Sequence, residues 1–515
     1  MTDPASTPEK QAAMQKPDNE SPEVNEKDII AGHVDYHGID TRGIVHGVDE
    51  VYEREVSILN AALIDLGMRP FQWRIFALTG LGWFIDNFWM QAITIISAPV
   101  QVEFSVDRIA FLTVAKYAGL VVGSTVWPMT ADFIGRRLAF NITLLLSSVA
   151  GLIGAGSPNF VAISPVDSAI FLKYIPATHQ YLLNMQSAFW SIGQAVAALI
   201  GWPLIANYSC PSDTPARQCT FQDNLGWRYS YWTFGGLTLV MFLARLLFKL
   251  YKTPKYLLGK GLDQQAVNVV NKVAARNKTT TWLTISHFEA IDAELAHQRA
   301  SSPSSPAVPP NKSAPSSPLP ELALSTTLML FLWCSIGMAY PLYNSFIPIY
   351  LATKGVSYGS TSLSETYRTY AIQAVCGIPA SLLGGLLVNT KHLGRKGTGT
   401  LVCFCTGIFL FLFLFTRATT NASVLGFTCA IAFFQNLVYG LLYSYTPELF
   451  FAPVRETANG LVALGNRLSG LMAPIIAAYV GVETDVPVWI SASLFVVAGL
   501  VFLVLPYETR GRAAS

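Results

Sequence analysis

Charged residues are scarce in this sequence. Only 13% of its 515 residues are Asp, Glu, Lys or Arg, whereas a soluble domain usually carries about 25%. Hydrophobic residues make up 52%, which excludes an ordinary soluble globular protein. Apolar runs of roughly 20 residues recur, and each is long enough to cross a hydrocarbon layer of about 30 Å as a helix. We therefore expect an all-α integral membrane protein with many spans.

The sequence also has few features of an enzyme or of a nucleic-acid-binding protein. Lys and Arg number 34, and Asp and Glu number 32, so the formal net charge is only +2. This balance gives no reason to expect a nucleic acid partner. The sequence lacks a phosphate-binding loop, a metal-ligand cluster and a nucleophile elbow. We therefore expect no enzymatic activity, no cofactor and no metal site.

The N-terminal region shows no signal peptide. Residues 1–49 begin with a stretch rich in Pro, Glu, Lys and Asp, which predicts a disordered cytosolic tail. Residues 50–68 follow as a predicted amphipathic juxtamembrane helix, because apolar residues recur at alternating four- and three-residue steps. Those residues are Tyr52, Val56, Leu59, Leu63 and Leu66. We expect this helix to lie on the cytosolic membrane surface or against the first span.

Eleven apolar stretches are candidate membrane spans, and they fall into two groups. The first group contains 75–98, 109–129, 138–156, 183–206 and 229–250. The second group contains 325–351, 367–389, 398–416, 422–446, 456–481 and 486–507. We therefore predict an N-terminal transmembrane bundle over 70–250, a C-terminal transmembrane bundle over 325–507 and a cytosolic tail over 508–515.

Residues 251–324 separate the two groups. They open with a helical pattern and end in a Ser/Pro-rich run, SSPSSPAVPPNKSAPSSP. Such a run cannot bury a core, so we predict a cytosolic linker with a flexible end.

Lys and Arg in short loops set the orientation. Basic residues at 135–137 and 391–396, together with Arg455, belong on the cytosolic side. Loop 207–228 then faces outward, where Cys210 and Cys219 have the setting for a disulfide. Two glycosylation sequons also fall in outward loops, at Asn207 and Asn421.

Two charged residues lie inside predicted spans. Asp86 is about eleven residues into the first span and Lys116 about eight residues into the second, so their depths agree within several ångströms. A lone charge at mid-bilayer costs at least about 3 kcal/mol, which pairing or a wet cavity relieves. We expect the two side chains to be coupled on a cavity wall, with Asp86 as the proton carrier. A static structural pair is the alternative.

Other polar residues lie in the apolar runs and either contact a polar solute or join helices. The candidates for a substrate cavity are Gln91, Gln194, Tyr343, Asn344, Gln435 and Tyr439. Gln435 and Tyr439 are one helical turn apart on one face, which favours that pair for substrate contact. Arg467 is expected to be structural, near the end of its span. The tryptophans, including Trp83 and Trp190, partly indicate interfacial belts.

Several stretches of the sequence resemble the major facilitator superfamily. The loop TADFIGRR at 130–137 is similar to that family's loop between spans two and three, although Phe133 replaces its usual basic residue. The matching positions are Asp132, Gly135, Arg136 and Arg137. Residues 445–476 resemble a pattern of the sugar, organic-anion and synaptic-vesicle-protein branch. Residues 82–91 resemble the first span of its fungal members.

The resemblance covers roughly residues 45–508 and implies a major facilitator fold of two six-helix bundles. Asp132, facing arginines in a tight Gly turn, would form a cytosolic ion-pair latch that breaks as the halves rock. Glu448 and Arg455 are expected to do the same in the second half. A positive-inside anchor without a gating role is the alternative for the arginines.

The region of the fourth span is unusual. Residues 157–180 carry Pro165 and Asp167 where family members have a complete span, so 11–12 spans are expected. One explanation is a shortened sequence that lacks part of the span. The alternative is a thin, tilted, broken helix over 159–175 with Asp167 lining the cavity.

These observations predict a secondary active transporter that moves a small polar solute by alternating access and is coupled to protons. The solute classes considered are sugars, polyols, organic anions and phosphate compounds. We expect a monomer in the lipid bilayer of the plasma membrane or of the vacuole or another endomembrane. The alternatives are a non-transporting membrane sensor or adaptor of transporter ancestry and an inactive shortened isoform.

Overall fold

The computed structural model is mostly helical over the residues that it describes. These are 50–67, 69–134, 136–160, 163, 183–211, 219–246, 254–258, 261–301, 319–351, 362–387, 390, 393–416, 420–449 and 452–506. Two compact units are formed: a linker unit, Met1–Phe71 with Tyr251–Ala314, and a membrane unit, Gln72–Leu250 with Pro315–Ser515.

The helices are numbered in chain order. They are α1 Glu50–Leu66, α2 Pro70–Phe104, α3 Ala110–Ile134, α4 Arg136–Gly154, α5 Leu183–Tyr208, α6 Gly226–Leu246, α7 Pro254–Leu258, α8 Asp263–Arg276, α9 Ser286–Ser301, α10 Leu319–Asn344, α11 Leu363–Leu387, α12 Gly394–Phe415, α13 Asn421–Leu449, α14 Ala452–Val480 and α15 Val486–Val504.

The linker unit is built from α1 and the helices α7, α8 and α9. The apolar face of α1 is buried in one hydrophobic cluster with residues of the linker helices. Its fully buried members include Ile58, Leu59 and Ala62 on α1, Val270 on α8 and Ile291 on α9. The partner of α1 thus differs from the expected membrane surface or first span. Periodicity identifies the buried face of a helix but not what covers that face.

A charged pair lies inside the same unit. The Arg54 guanidinium on α1 is 3.4 Å from a carboxylate oxygen of Glu294 on α9, and both side chains are about 95% buried.

Gly67 ends α1 with a positive φ of 61°, a conformation that glycine adopts without strain. Four residues later, the backbone N–H of Phe71 donates to the side-chain oxygen of Asn277 at 3.1 Å.

The membrane unit contains the long apolar helices. Seven stretches of the described chain are long and apolar enough to cross a membrane. They lie on α3, α5, α10, α12, α13, α14 and α15. Helices α2, α4, α6 and α11 pack among them. We call α2–α6 the first half and α10–α15 the second half. The inner side is the one that carries the predicted cytosolic loops.

Close contacts show that α2, α4 and α5 run in the same direction. Phe189 packs on Gly80 and Ile95 packs on Gly201, so α2 and α5 are parallel. Phe140 packs near Gly82 and Gly151 packs on Trp89, so α2 and α4 are parallel as well.

This arrangement has a topological consequence. The end of α4 at Gly154 lies on the outer side of the first half, and the start of α5 at Leu183 lies on the inner side. Asp167 and most of the predicted fourth span lie outside the described residues.

The two halves contact each other mainly through α5 with α11 and α3 with α14. Several of these contacts lie toward the outer side. The Trp202 indole donates to the Ser364 hydroxyl at 3.2 Å, and the Arg108 guanidinium lies 5.0 Å from the centre of the Tyr479 ring. The structure therefore describes the halves joined at their outer ends.

Candidate functional site

The candidate site lies where the two halves meet in the middle of the membrane unit. Its core is an aromatic cluster, which we define as Trp83 on α2, Trp190 on α5, Trp333 on α10, and Tyr439 and Tyr443 on α13. Trp83, Trp190 and Tyr443 are in mutual contact, with ring-centre distances of 4.6, 5.1 and 4.6 Å. The ring of Trp333 lies 4.7 Å from that of Tyr443. Since the rings come from both halves, a movement of one half against the other must rearrange the cluster.

Hydrogen bonds between polar side chains also join the halves. The Gln194 amide, on α5, donates to the side-chain oxygen of Asn87 at 2.9 Å and to the Tyr340 hydroxyl at 3.0 Å. Asn87 belongs to the first half and Tyr340 to the second, so a single amide bridges the interface.

A second polar contact between the halves lies about one turn earlier on α5. The Ser191 hydroxyl is 2.8 Å from the hydroxyl of Ser381 on α11 and donates to the side-chain oxygen of Asn436 at 3.1 Å. The Ser191 backbone and side chain are buried between the halves. These bonds satisfy polar groups that would be costly to leave unpaired in a membrane.

Asn344 and Gln435 form a polar pair within the second half. The Asn344 amide donates to the Gln435 side-chain oxygen at 2.6 Å. Gln435 is buried, and its side-chain nitrogen has no hydrogen-bond partner among the described residues. Tyr439, one turn along α13, contacts the rings of Trp190 and Tyr340 at 6.0 and 5.1 Å. The face predicted from the spacing of Gln435 and Tyr439 therefore meets the first half.

Lys116 and Asp86 are charged residues on helices of the interface. Lys116 on α3 is fully buried, and its ammonium is 3.5 Å from the Ser345 hydroxyl of the second half and 5.2 Å from the Tyr117 ring centre. Asp86 on α2 is half-buried and interacts electrostatically with the phenols of Tyr117 and Tyr443. The site thus holds groups of both charges near aromatic rings.

Arg467 was not identified as a site residue from the sequence. It was expected near the end of its span, but the structure places it in the middle of α14, about half-way between Ala452 and Val480. Its guanidinium interacts electrostatically with Tyr443, and it has no ion-pair partner in the described part of the chain. The signal in the sequence was the charge itself at an apolar helix centre, which marks a functional candidate.

The remaining candidate cavity residues have separate environments. Gln91 lies beside the Tyr370 hydroxyl of the second half. Tyr343 is 1% exposed and packs with its ring centre 6.4 Å from that of Phe413, within the second half. Tyr343 is therefore part of the packing between α10 and α12 in this conformation.

The outer loop contains the disulfide expected between its two cysteines. Cys210 and Cys219 form a disulfide with a Cα–Cα distance of 6.1 Å. Asn207 is exposed at the end of α5, where its amide donates to the Pro203 carbonyl at 2.8 Å. The side chain of Asn421, at the start of α13, lies outside the described residues.

The predicted cytosolic motifs also lie outside the described side chains. They are Asp132, Gly135, Arg136, Arg137, Glu448 and Arg455. Within the residues that the structure describes, no group of three or more His, Cys, Asp or Glu side chains is arranged to hold a metal ion.

A helical membrane unit of two halves, with polar and charged side chains at their contact, is the architecture of a membrane transporter. The sequence model of the Major Facilitator Superfamily matches residues 75–474. The chain therefore belongs to the Major Facilitator Superfamily and is an integral, multi-pass membrane protein.

Individual relatives agree with this assignment. The chain is 40% identical over 492 residues to "MFS siderochrome iron transporter 1" of Ceriporiopsis subvermispora (strain B), covering 91% of this chain and 94% of that protein. It is 38% identical to an uncharacterized MFS-type transporter of Schizosaccharomyces pombe, covering 90% of each. The xylose transporter XylE from E. coli, in a partially occluded inward-open conformation, matches 86% of this chain and 99% of its own, with a TM-score of 0.59 and 15% identity. At that identity the likeness shows the fold alone.

Proposed function

We propose that this protein is a proton-coupled secondary active transporter of a small polar organic solute. The observation that carries the proposal is the polar and charged lining of the contact between the halves, at the depth where a major facilitator binds its solute. Gln194, Lys116 and the aromatic cluster each contact the opposite half. Rocking of the halves would break these contacts and expose their polar atoms to a solute.

Asp86 is the proposed proton carrier. It is half-buried in the middle of α2 and interacts with phenols that belong to both halves. Lys116 is fully buried at a similar predicted depth. Separation of the halves would change the water and the charges around Asp86, and both factors alter the proton affinity of a carboxylate. Coupling of Asp86 to Lys116 is part of this proposal.

Uptake into proteoliposomes tests the proton step. A pH gradient imposed at constant membrane potential is expected to drive uptake by the native protein, and Asp86→Asn is expected to abolish that drive. Exchange of labelled for unlabelled solute at equal pH should persist in the variant, because exchange needs no net proton movement. Asp107→Asn, an exposed residue between α2 and α3, is the matched control. An unchanged pH dependence in Asp86→Asn would refute the role of Asp86.

The cytosolic motifs are proposed as a latch. Asp132 with Arg136 and Arg137, and Glu448 with Arg455, have the charges needed to close the inner side in one state and release it in the other. Asp132→Asn is then expected to raise labelling of inner-side cysteines by a thiol reagent. If the arginines are only topological anchors, labelling stays unchanged and only Arg136→Ala or Arg137→Ala alters insertion.

A membrane sensor or adaptor is the second candidate, and the linker unit is the observation that favours it. This unit has its own hydrophobic core and a buried charged pair, which gives a cytosolic partner a defined surface. A protein that binds a solute but never exchanges it across the bilayer would support this alternative.

A further inference from the structure

The composition of the aromatic cluster bears on the chemistry of the solute. Trp83, Trp190 and Tyr443 contact one another in a triangle, with Tyr443 edge-on to both indoles at interplanar angles of 67° and 77°. Trp83 and Trp190 are both buried. Aromatic faces and edges are complementary to another flat ring, and each such contact stabilises more than its buried area alone. When the halves separate, this triangle opens into a surface suited to a planar ring.

Two buried hydrogen-bond donors near the cluster are available to a ligand. The indole nitrogen of Trp190 and the amide nitrogen of Gln435 are buried donors without a hydrogen-bond partner among the described residues. The donor of Gln194, by contrast, is already shared between two acceptors. Buried donors are normally satisfied, so a ligand that brings acceptor oxygens would complete this site. The hydroxyls of a polyol can also accept these bonds, but a polyol has no flat ring to pack against the cluster.

The charges favour an anion. Asp86 and Arg467 both interact with the phenol of Tyr443, and Lys116 is fully buried on α3. These three residues have a net charge of +1. Arg467 in particular lacks an ion-pair partner among the described residues, and an unpaired cation at the centre of a membrane helix is costly. A bound carboxylate would supply the missing negative charge with the planar geometry that a guanidinium matches.

We infer that the solute is a small planar aromatic or heteroaromatic carboxylate. Its ring packs against Trp83, Trp190 and Tyr443, and its carboxylate pairs with Arg467 and accepts from the donors of Trp190 and Gln435. This inference rests on the proposed transport function and names the substrate class of the same site.

Binding to the purified full-length protein tests the inference without requiring transport. Benzoate and pyridine-3-carboxylate are the probes. Cyclohexanecarboxylate keeps the charge but lacks the aromatic ring, and benzamide keeps the ring but lacks the charge. Glucose and a ferric hydroxamate chelate represent other solute classes. We expect the two aromatic acids to bind at least about tenfold more tightly than cyclohexanecarboxylate, because cyclohexanecarboxylate cannot make the aromatic ring contacts. Benzamide should bind about ten- to a hundredfold more weakly, because the ion pair is lost.

Two variants test the proposed contacts of Arg467 and Trp190 with the carboxylate separately. Arg467→Gln should weaken benzoate binding about ten- to a hundredfold while leaving benzamide unchanged, and the unchanged benzamide affinity also shows that the variant is folded. Trp190→Phe keeps a ring but removes the indole N–H, so benzoate should weaken only about three- to tenfold. Arg368→Gln, a half-exposed arginine on α11, is the control and should change nothing.

The outcomes separate this inference from the proposed function. Binding of glucose or the ferric chelate in place of the aromatic acids would overturn the solute class, as would equal affinity for benzoate and cyclohexanecarboxylate or an unaffected Arg467→Gln. Failure of every probe to bind would overturn it as well. If the aromatic acids bind as expected but proteoliposomes neither accumulate nor exchange them, the site is retained and the transport function is refuted.

Discussion

The hydroxyl of Tyr367, on α11, donates a hydrogen bond of 2.8 Å to the backbone carbonyl of Ile95, on α2. That carbonyl lacks its helical partner because the residue four positions later is Pro99, inside α2, and proline has no N–H. A side chain of the second half thus completes a helix of the first half. The bond exists only while the outer ends of the halves are together.

Tyr367→Phe should therefore favour separation of the outer ends. In the closed state the Ile95 carbonyl would be buried without a donor, at a cost of about 1–3 kcal/mol, whereas water satisfies it once the ends part. The expected population shift is about 5- to 150-fold. It can be measured as faster labelling of Thr94→Cys, a buried position on α2, by an impermeant maleimide added outside, in a protein whose five unpaired cysteines are replaced.

Pro99→Ala provides the matched control. Alanine restores an N–H that can bond the Ile95 carbonyl within α2, so the Tyr367 hydroxyl becomes redundant. Tyr367→Phe should then have little effect on labelling in the Pro99→Ala background. An equal effect in both backgrounds would show that the hydroxyl acts through something other than this carbonyl.

Gln194 is expected to contribute to stability as well as to the interface. Gln194→Leu leaves the half-buried groups of Asn87 and Tyr340 without the donor that joins them, and the loss of such hydrogen bonds costs about 0.5–1.5 kcal/mol each. The midpoint of thermal unfolding in detergent should fall by several degrees. Gln222→Leu, in the exposed outer loop, is the comparison and should leave the midpoint unchanged. Equal midpoints for the two variants would mean that the amide bridge adds nothing to the folded state.

Glu103 and Arg228 form a bidentate pair at the outer end of the first half. Two guanidinium nitrogens of Arg228 lie 2.8 and 2.6 Å from the two carboxylate oxygens, and both side chains are about 95% buried. The Trp227 indole and the Asn224 amide donate to the same carboxylate at 2.8 and 3.0 Å. Glu103→Ala should cost about 3–5 kcal/mol, because it leaves Arg228 buried without a counter-charge.

Thermal unfolding of the variants at Arg228 tests whether geometry matters at this pair. Arg228→Lys keeps the charge but loses the planar fork, so its midpoint should lie between those of the native protein and Arg228→Ala. The guanidinium carbon also lies 4.0 and 4.1 Å from the ring centres of Phe221 and Trp227. A lysine variant as stable as the native protein would indicate that charge alone is sufficient.

Much of the architecture follows from the sequence because membrane spans are set by length and hydropathy. The two groups of spans, the outer disulfide of Cys210 and Cys219, and the buried face of α1 were all predictable from local patterns. The residues that pack on that face were not predictable, since the helices that bury α1 lie about 200 residues later in the chain. Local periodicity contains no information on such distant partners.

The contacts between residues of the candidate site were likewise not predictable from local sequence patterns. Gln194, Asn344 and Gln435 were identified as polar residues in apolar runs, but their hydrogen-bond partners were not. Trp83 and Trp190 were attributed in part to interfacial belts, because tryptophan is common there. Their contact with Tyr443 depends on three helices from two halves, and only the folded chain brings these rings together.

The buried pair in the linker unit gives the last prediction. Glu294→Ala removes the carboxylate that faces Arg54 and leaves a guanidinium inside the hydrophobic contact of α1 with α9. The expected loss is about 3–5 kcal/mol, which is large for a unit with so small a core. Limited proteolysis should then cut between Asp263 and Ser301 much faster than in the native protein, while the thermal midpoint of the membrane unit stays the same. Glu289→Ala, an exposed acid on the same helix, is the control. If both variants resist the protease equally, the pair does not hold α1 on the linker helices.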